Sequence, residues 1–174
     1  MYLISIYFDE KTNAVIQRLS NRIAEKTGNP FMTEGKVPPH ITISAFETKR
    51  EAQCVELLEC LMNDMKKGKI TWASVGQFFP YVIYLTPVLN FYLHEMACLI
   101  YEKLSKIEET IISPYYQPFQ WLPHTTVGKK LSAEQMRIAF EVLQESFAMF
   151  EGSATAIGLA RTNPYREIVR YEFV

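Results

Sequence analysis

Two short segments of this 174-residue chain share one frame. Residues 38–44 read PPHITIS and residues 122–128 read LPHTTVG, so each holds Pro-His-x-Thr followed by an aliphatic residue. The chain has three histidines, and two of them lie in this frame. The match extends beyond the motifs. Pro39 and Pro123, His40 and His124, Thr42 and Thr126, Thr48 and Ser132, Glu51 and Gln135, and Pro80 and Pro164 are all 84 positions apart. One offset thus aligns the histidines, the hydroxyl residues, two helix-start signals and a proline at a strand end. Two copies are too few for a solenoid. They suit two pseudo-symmetric lobes facing one cleft.

The periodicities give the elements of each copy. Residues 2–8, 40–46, 70–79, 82–88, about 154–161 and 167–173 read as strands, with HTTVGKK as a further strand from residue 124. Helical spacing predicts helices over about 12–27, 49–66, 91–106 and 133–148. Thr48 with Glu51, and Ser132 with Gln135, form capping-box patterns, and Asn90 is a third candidate cap. Residues 29–38 and 108–123 read as loops, and TNPYR as a turn. The order is β-α-β-α-β and then β-α-β-α-β-β. No Pro/Gly/Ser-rich linker separates the copies. The expectation is an α+β fold, a duplicated βαβαβ, with two lobes and antiparallel sheets around a central cleft. Residues 1–174 would form one domain, with repeat halves at about 1–80 and 81–174.

The spacing inside each motif has a physical reading. In a strand, residues i and i+2 point to the same face. His40 and Thr42 therefore project together, as do His124 and Thr126, while Ile41 and Thr125 point away. A proline before each histidine suits a strand start, where its missing N–H is tolerated. Imidazole is the side chain whose ordinary pKa permits both proton removal and proton donation near neutral pH. Two imidazoles flanking a phosphorus suit in-line displacement, and two threonine hydroxyls beside them would stabilise charge on the non-bridging oxygens. A single such motif reads as ordinary strand packing, because Thr is common in strands. Two in register do not. Metal ligation is disfavoured: there is no His-x-His, no HExxH and no Asp or Glu within the motifs.

With PPHITIS and LPHTTVGKKLS one per half of a duplicated βαβαβ chain, the sequence resembles the 2H phosphoesterases, the superfamily that includes the 2′-5′ RNA ligase family. It is most similar to the short bacterial phosphoesterases of that group. The resemblance covers essentially the whole chain in element order. It implies a two-lobed α+β fold with both motifs facing a cleft. It also implies metal-independent, cofactor-free hydrolysis of 2′,3′-cyclic phosphates or related phosphodiesters, with reversible 2′-5′ RNA joining in some members. Carried over by motif, His40 and His124 are the acid/base pair and Thr42 and Thr126 bind the phosphate. Which histidine is acid and which is base stays open at this point.

Other residues are candidates for substrate contact. Lys129, after the second motif, would attract a phosphate, as would its neighbour Lys130; Arg161, at a strand end, suits bidentate contact. Aromatic rings flank both motifs: Phe78, Phe79 and Tyr81 around Pro80, Tyr115, Tyr116, Phe119 and Trp121 before the second motif, and Tyr165 beside Pro164. Rings at a cleft stack nucleobases; rings packed on a loop pin it to the core. His94 lies mid-helix beside Leu93 and Ala97 and reads as packing.

Composition excludes several classes. A net charge of −1 offers no broad basic surface for duplex DNA, leaving a small nucleotide or an RNA end as the expected partner. No apolar run is long enough for a membrane span, and the opening MYLISIYFDEK lacks the basic lead-in of a secretion signal. Cys54, Cys60 and Cys98 include no C-x-x-C pair and read as reduced thiols. A cytoplasmic protein is expected. Two other classes remain open: a catalytically weak nucleotide or RNA-end binding module, and a duplicated scaffold for a protein partner.

Overall fold

The computed structural model describes residues 1–35 and 37–174. Lys36, within the loop expected over 29–38, lies outside the described residues. The chain runs β1 (Tyr2–Phe8), α1 (Glu10–Thr27), α2 (Phe31–Glu34), β2 (His40–Thr48), α3 (Glu51–Leu61), β3 (Gly68–Phe78), β4 (Val82–Pro87), α4 (Phe91–Leu104), β5 (Thr110–Ile112), β6 (Thr125–Gly128), α5 (Ala133–Ser146), β7 (Phe150–Arg161) and β8 (Arg166–Glu172). A single 3₁₀ turn at Pro114–Tyr116 lies between β5 and β6. All strand pairs are antiparallel, and they join into one eight-stranded sheet in the order β5-β2-β1-β7-β3-β4-β6, with β8 added to β7. The mixed α+β fold read from the sequence is therefore present, and the sheets of the two lobes are continuous.

Continuity comes from strand exchange. The last long strand of each half joins the sheet of the other: β3 pairs with β4, and β7 pairs with β1. The two exchanged strands then pair with each other over Gly68–Trp72 and Phe150–Ala154. In that ladder Lys69 faces Ser153, its own equivalent 84 positions later, so the pseudo-two-fold axis crosses the sheet at this pair.

One face of the sheet carries the helices and the core. Ile4, Ile6, Ile41, Ile43, Ile70, Trp72, Ile83, Leu85, Ile157 and Leu159 are buried there. Burying a Leu- or Ile-sized side chain stabilises by about 1.5–3 kcal/mol. Helix α1 packs on α5, β6 and β7, and α4 packs on β2, α3 and β5. Helices of the two halves thus meet on each lobe.

The helix starts follow the sequence patterns in part. Asn90 and Ser132 cap α4 and α5 as expected, the latter in a full capping box with Gln135. Thr48 does not cap α3, which begins at Glu51 and ends at Leu61 instead of residue 66. The Thr48 hydroxyl bonds to Thr110 of β5 at 2.9 Å, so an unread edge strand has taken it. Asp9, not read as a cap, closes the start of α1 through Thr12. It also accepts from the Ser153 N–H at 2.8 Å, tying the helix start to β7. Among the described residues no helix is long and apolar enough to cross a membrane.

Candidate active site

β6 ends the sheet path and β2 is next to its other end, yet the two approach each other in space. The sheet is therefore folded over on itself, and the cleft lies between these two strands. His40 is the first residue of β2, and His124 immediately precedes β6. The alternation works as the spacing requires. Ile41 and Thr125 turn into the core, where both are fully buried, and the Thr125 hydroxyl accepts from the Trp72 indole N–H at 3.1 Å. His40, Thr42, His124 and Thr126 turn the other way. His40 and Thr126 line the same small cavity of about 20 Å³, with Gln17 and Ser20 of α1 and the Pro38-Pro39 turn. The histidine of one motif thus meets the threonine of the other. Larger surface hollows, such as the one between β3 and α5 lined by Phe140 and Phe147, are elsewhere.

Both imidazoles are held the same way. The His40 Nδ1 lies 2.8 Å from the Pro38 carbonyl, and the His124 Nδ1 lies 2.9 Å from the Leu122 carbonyl. A carbonyl only accepts, so each Nδ1 carries a proton and each Nε2 is left for the cleft. In each case the carbonyl belongs to the residue two positions earlier, before the proline. Burial lowers both imidazole pKa values, and the Nδ1 hydrogen bonds partly oppose this. His40 is lowered further by the positive charges of His124, Lys129 and Arg170.

The hydroxyls are supported unequally. Thr42 is buried and accepts from the Ser5 hydroxyl at 3.4 Å, which leaves its own proton to donate. The Trp121 indole donates to the Thr42 carbonyl at 2.9 Å. That bond ties the long loop before the second motif onto the first. Thr126 faces Tyr84 across the β4–β6 ladder.

The other sequence candidates separate. Lys129 projects close enough for His40 to feel its charge. Phe79 and Tyr81, 86% and 59% exposed, form the tip of the β3–β4 hairpin. Tyr165, at the β7–β8 turn, places its hydroxyl 3.4 Å from that of Tyr7. Lys130 covers the Phe31 ring of α2. Arg161 is not brought to the histidines. It pairs with Tyr2 at the start of β1, whereas His40 pairs with Tyr7 near its end. It stacks on Tyr2, on the helix-covered face, near Glu51 of α3. Register parity decides this, and parity is not visible without the pairing.

Four cleft residues were not singled out by sequence. Tyr7 lies 6.2 Å from the His40 ring, centroid to centroid, and Arg170 stacks on Tyr7 at 3.8 Å. On the other side Tyr84 lies 5.3 Å from the His124 ring, and the floor beneath it is Gly76, where a Cβ would meet the Tyr84 ring at 2.5 Å. Ser5 supports Thr42. The alternation within β1, with Ser5 and Tyr7 opposite Ile4 and Ile6, was the available signal. Phe78, noted only as one of the rings near Pro80, meets the His124 ring edge-on at 4.8 Å.

Among the described residues, no group of three or more His, Cys, Asp or Glu side chains comes together as a metal site. The cleft's own chemistry is two Nε2 atoms and two hydroxyls, suited to moving protons around a bound anion.

Solved structures share this fold across its whole length. E. coli LigT complexed with 3′-AMP aligns at a TM-score of 0.61 and 16% identity, over 99% of this chain and 97% of that one. TT0787 of Thermus thermophilus aligns at 0.59 and 15%, again over 99% and 97%. A crystal structure described as a phosphoesterase aligns at 0.58 and 15%, with the same coverage. No curated protein sequence matches the chain. The family model of the 2′-5′ RNA ligase superfamily matches residues 6–166, and with that span the chain belongs to the 2′-5′ RNA ligase superfamily, the 2H phosphoesterase type.

Proposed function

We propose that this phosphoesterase-type enzyme hydrolyses a 2′,3′-cyclic phosphate, or a related phosphodiester of a nucleotide or RNA end, by two-histidine acid/base catalysis without a metal. The observation that carries this reading is the paired clamp. Two imidazoles on facing strands each commit Nδ1 to a backbone carbonyl and leave Nε2 free, and His40 lines one cavity with Thr126 of the other motif. One Nε2 takes a proton from the attacking oxygen while the other gives one to the leaving oxygen. Thr42 and Thr126 donate to the non-bridging oxygens as charge builds there. The nucleotide part of the reading is supported by LigT, whose solved structures hold 3′-AMP, ATP and NADP+. Joining of 2′-5′ RNA ends is the same chemistry run with a ribose hydroxyl as nucleophile.

The test is turnover of 2′,3′-cyclic nucleotides and of short RNAs ending in a 2′,3′-cyclic phosphate, with chelator present. Hydrolysis that survives the chelator is expected. Activity that needs an added divalent cation would overturn the metal-free mechanism. Tight binding without product from any of these substrates would favour the binding-module reading instead.

A further inference from the structure

The exchange that joins the two lobes leaves one strand edge bare. β7 is flanked over Ala156–Arg161 by β1 on one side and by β8 on the other. The stretch of β3 that lies 84 positions earlier is 72–77. There β4 pairs on one side. Among the described residues no strand pairs on the other, since the ladder to β7 ends at Trp72. β4 pairs with β3 as β1 pairs with β7, so β8 is an addition without a counterpart in the first half. A bulge between Trp72 and Ser74 bends the start of the bare edge, but the β4 ladder is regular from Ser74 to Phe78.

Unpaired N–H and C=O groups along an edge recruit other strands, and proteins blunt such edges by shortness, charge or a covering loop. The other edges of this sheet follow that rule. β5 and β6 have three and four residues. β8 carries Arg166, Glu167, Arg170 and Glu172. The edge of β2 is covered by the loop before the second motif, through the Ser113 N–H to the Ala45 carbonyl and the Trp121 indole to the Thr42 carbonyl. The β3 edge has none of these devices. No Asp, Glu, Lys or Arg stands between Lys69 and Glu95, and no proline precedes Pro80. Beside the edge, between β3 and α5, is a hollow of about 350 Å³ lined by Ala73, Val75, Phe140, Leu143 and Phe147. Phe140 is 39% exposed, and Met149, just before the Phe150 that faces Trp72, is 69% exposed.

We propose that this edge is the interface of a homodimer, in which β3 of one copy pairs antiparallel with β3 of a second. Charge and symmetry select a second copy as the occupant. In a two-fold interface each side chain meets its own copy or a near neighbour of it, so a charge there would face a like charge. A stretch that holds none is self-complementary, and it offers nothing to pair with a charged strand. The two-fold axis that sets two edges antiparallel stands perpendicular to the sheet, so the helix-bearing faces stay on the same side. The two hollows then lie next to each other, and Phe140 and Phe147 of each copy are brought toward those of the other. A short ladder is marginal by itself; the apolar hollows add the burial that a stable interface needs. One sheet then runs through both molecules, and the symmetry closes the assembly at two copies. β3 also carries Phe78 to the His124 ring, so the pairing braces one wall of each cleft from outside.

The test is the mass of the purified full chain by sedimentation velocity across a concentration series, with amide hydrogen exchange over the same series. Wild type should pass from one chain to two as concentration rises, and the amides of residues 74–78 should gain protection in step. Ser74 is exposed on the bare edge, so Ser74→Lys should weaken dimerisation by about 10- to 100-fold, with the circular dichroism spectrum unchanged. Phe140→Gln leaves the strand intact and should weaken it as well, which keeps the test open if Ser74→Lys fails to fold. A monomer at every concentration would overturn the proposal, whether or not some other strand binds the edge. A dimer that the folded variants leave as tight as wild type would overturn it, and so would growth past two copies.

Discussion

At the His40 end of the cleft, Tyr7 stands 6.2 Å from the imidazole with Arg170 stacked behind it, and a serine supports the threonine. At the His124 end, Phe78 and Tyr84 close on the imidazole at 4.8 and 5.3 Å, and a tyrosine takes the place of that serine across the ladder. The backbone clamp is common to both, Nδ1 to a carbonyl two residues earlier. Duplication has kept what holds a reactive nitrogen in place and has let its surroundings diverge. The reason is chemical. Two identical clamps around a phosphorus are symmetric, but a displacement has an entering side and a leaving side, and only the neighbours can tell them apart.

The largest test of the comparison is removal of each imidazole. His40→Ala and His124→Ala should each lower turnover of a 2′,3′-cyclic nucleotide by about 10²- to 10⁴-fold, with the circular dichroism spectrum unchanged. Both rings are half-buried at the cleft, outside the core. A loss confined to one variant would mean that the shared clamp does not mark shared work. Next come the hydroxyls. Thr42→Val and Thr126→Val each remove one donor from the proposed phosphate site and should cost about 10²- to 10³-fold in kcat. The Thr42 hydroxyl accepts from Ser5, so Ser5→Ala should weaken kcat by less than Thr42→Val does. An equal loss would place the serine itself on the substrate.

Aromatic stacking is smaller. Phe78→Ala should weaken nucleotide binding by about 1–3 kcal/mol, read by calorimetric titration with 3′-AMP. Tyr165→Phe, in the β7–β8 turn, should change it little, because its hydroxyl is engaged with Tyr7. A reversed ranking would put the base at the β7–β8 flank and undo the comparison.

How much of this was legible in the sequence follows from the range of the signals. The Pro-His-x-Thr frames gave the strand starts and, through the two-residue alternation, the faces: Ile41 and Thr125 inward, the histidines outward. Those are local facts. The caps at Asn90 and Ser132 are local as well. Where a partner from elsewhere competes, local patterns fail. Thr48 carries a capping-box pattern, but β5 is three residues long and recruits its hydroxyl; so short an edge strand has almost no periodicity to read. Arg161 is a reasonable phosphate ligand by type, yet its register against Tyr2 puts it on the helix-covered face, stacked on that ring. Arg170 is the converse, an arginine with no motif around it that register carries to the cleft. The exchange of β3 and β7 between lobes was also invisible, because each half contains a complete set of strands and nothing in either says which sheet its last strand will join.

The smallest expected effect lies behind the second motif, and it sharpens the comparison by separating stability from chemistry. The residue between His and Thr is Ile41 in one motif and Thr125 in the other, and both are fully buried. Ile41 needs only apolar neighbours. Thr125 carries a hydroxyl into the core, where it accepts the Trp72 indole N–H at 3.1 Å. Trp72 is fully buried between Phe8 and Phe150. Thr125→Val keeps the shape and removes the acceptor, so the indole N–H is left without a partner, at a cost of about 1–3 kcal/mol. Urea denaturation should show stability falling by that amount, through a lower midpoint with an unchanged slope, while kcat on a cyclic nucleotide stays near wild type. A drop in kcat without loss of stability would mean that the core-facing side of the motif tunes His124 directly. The two faces of the strand would then not be separable as the alternation implies.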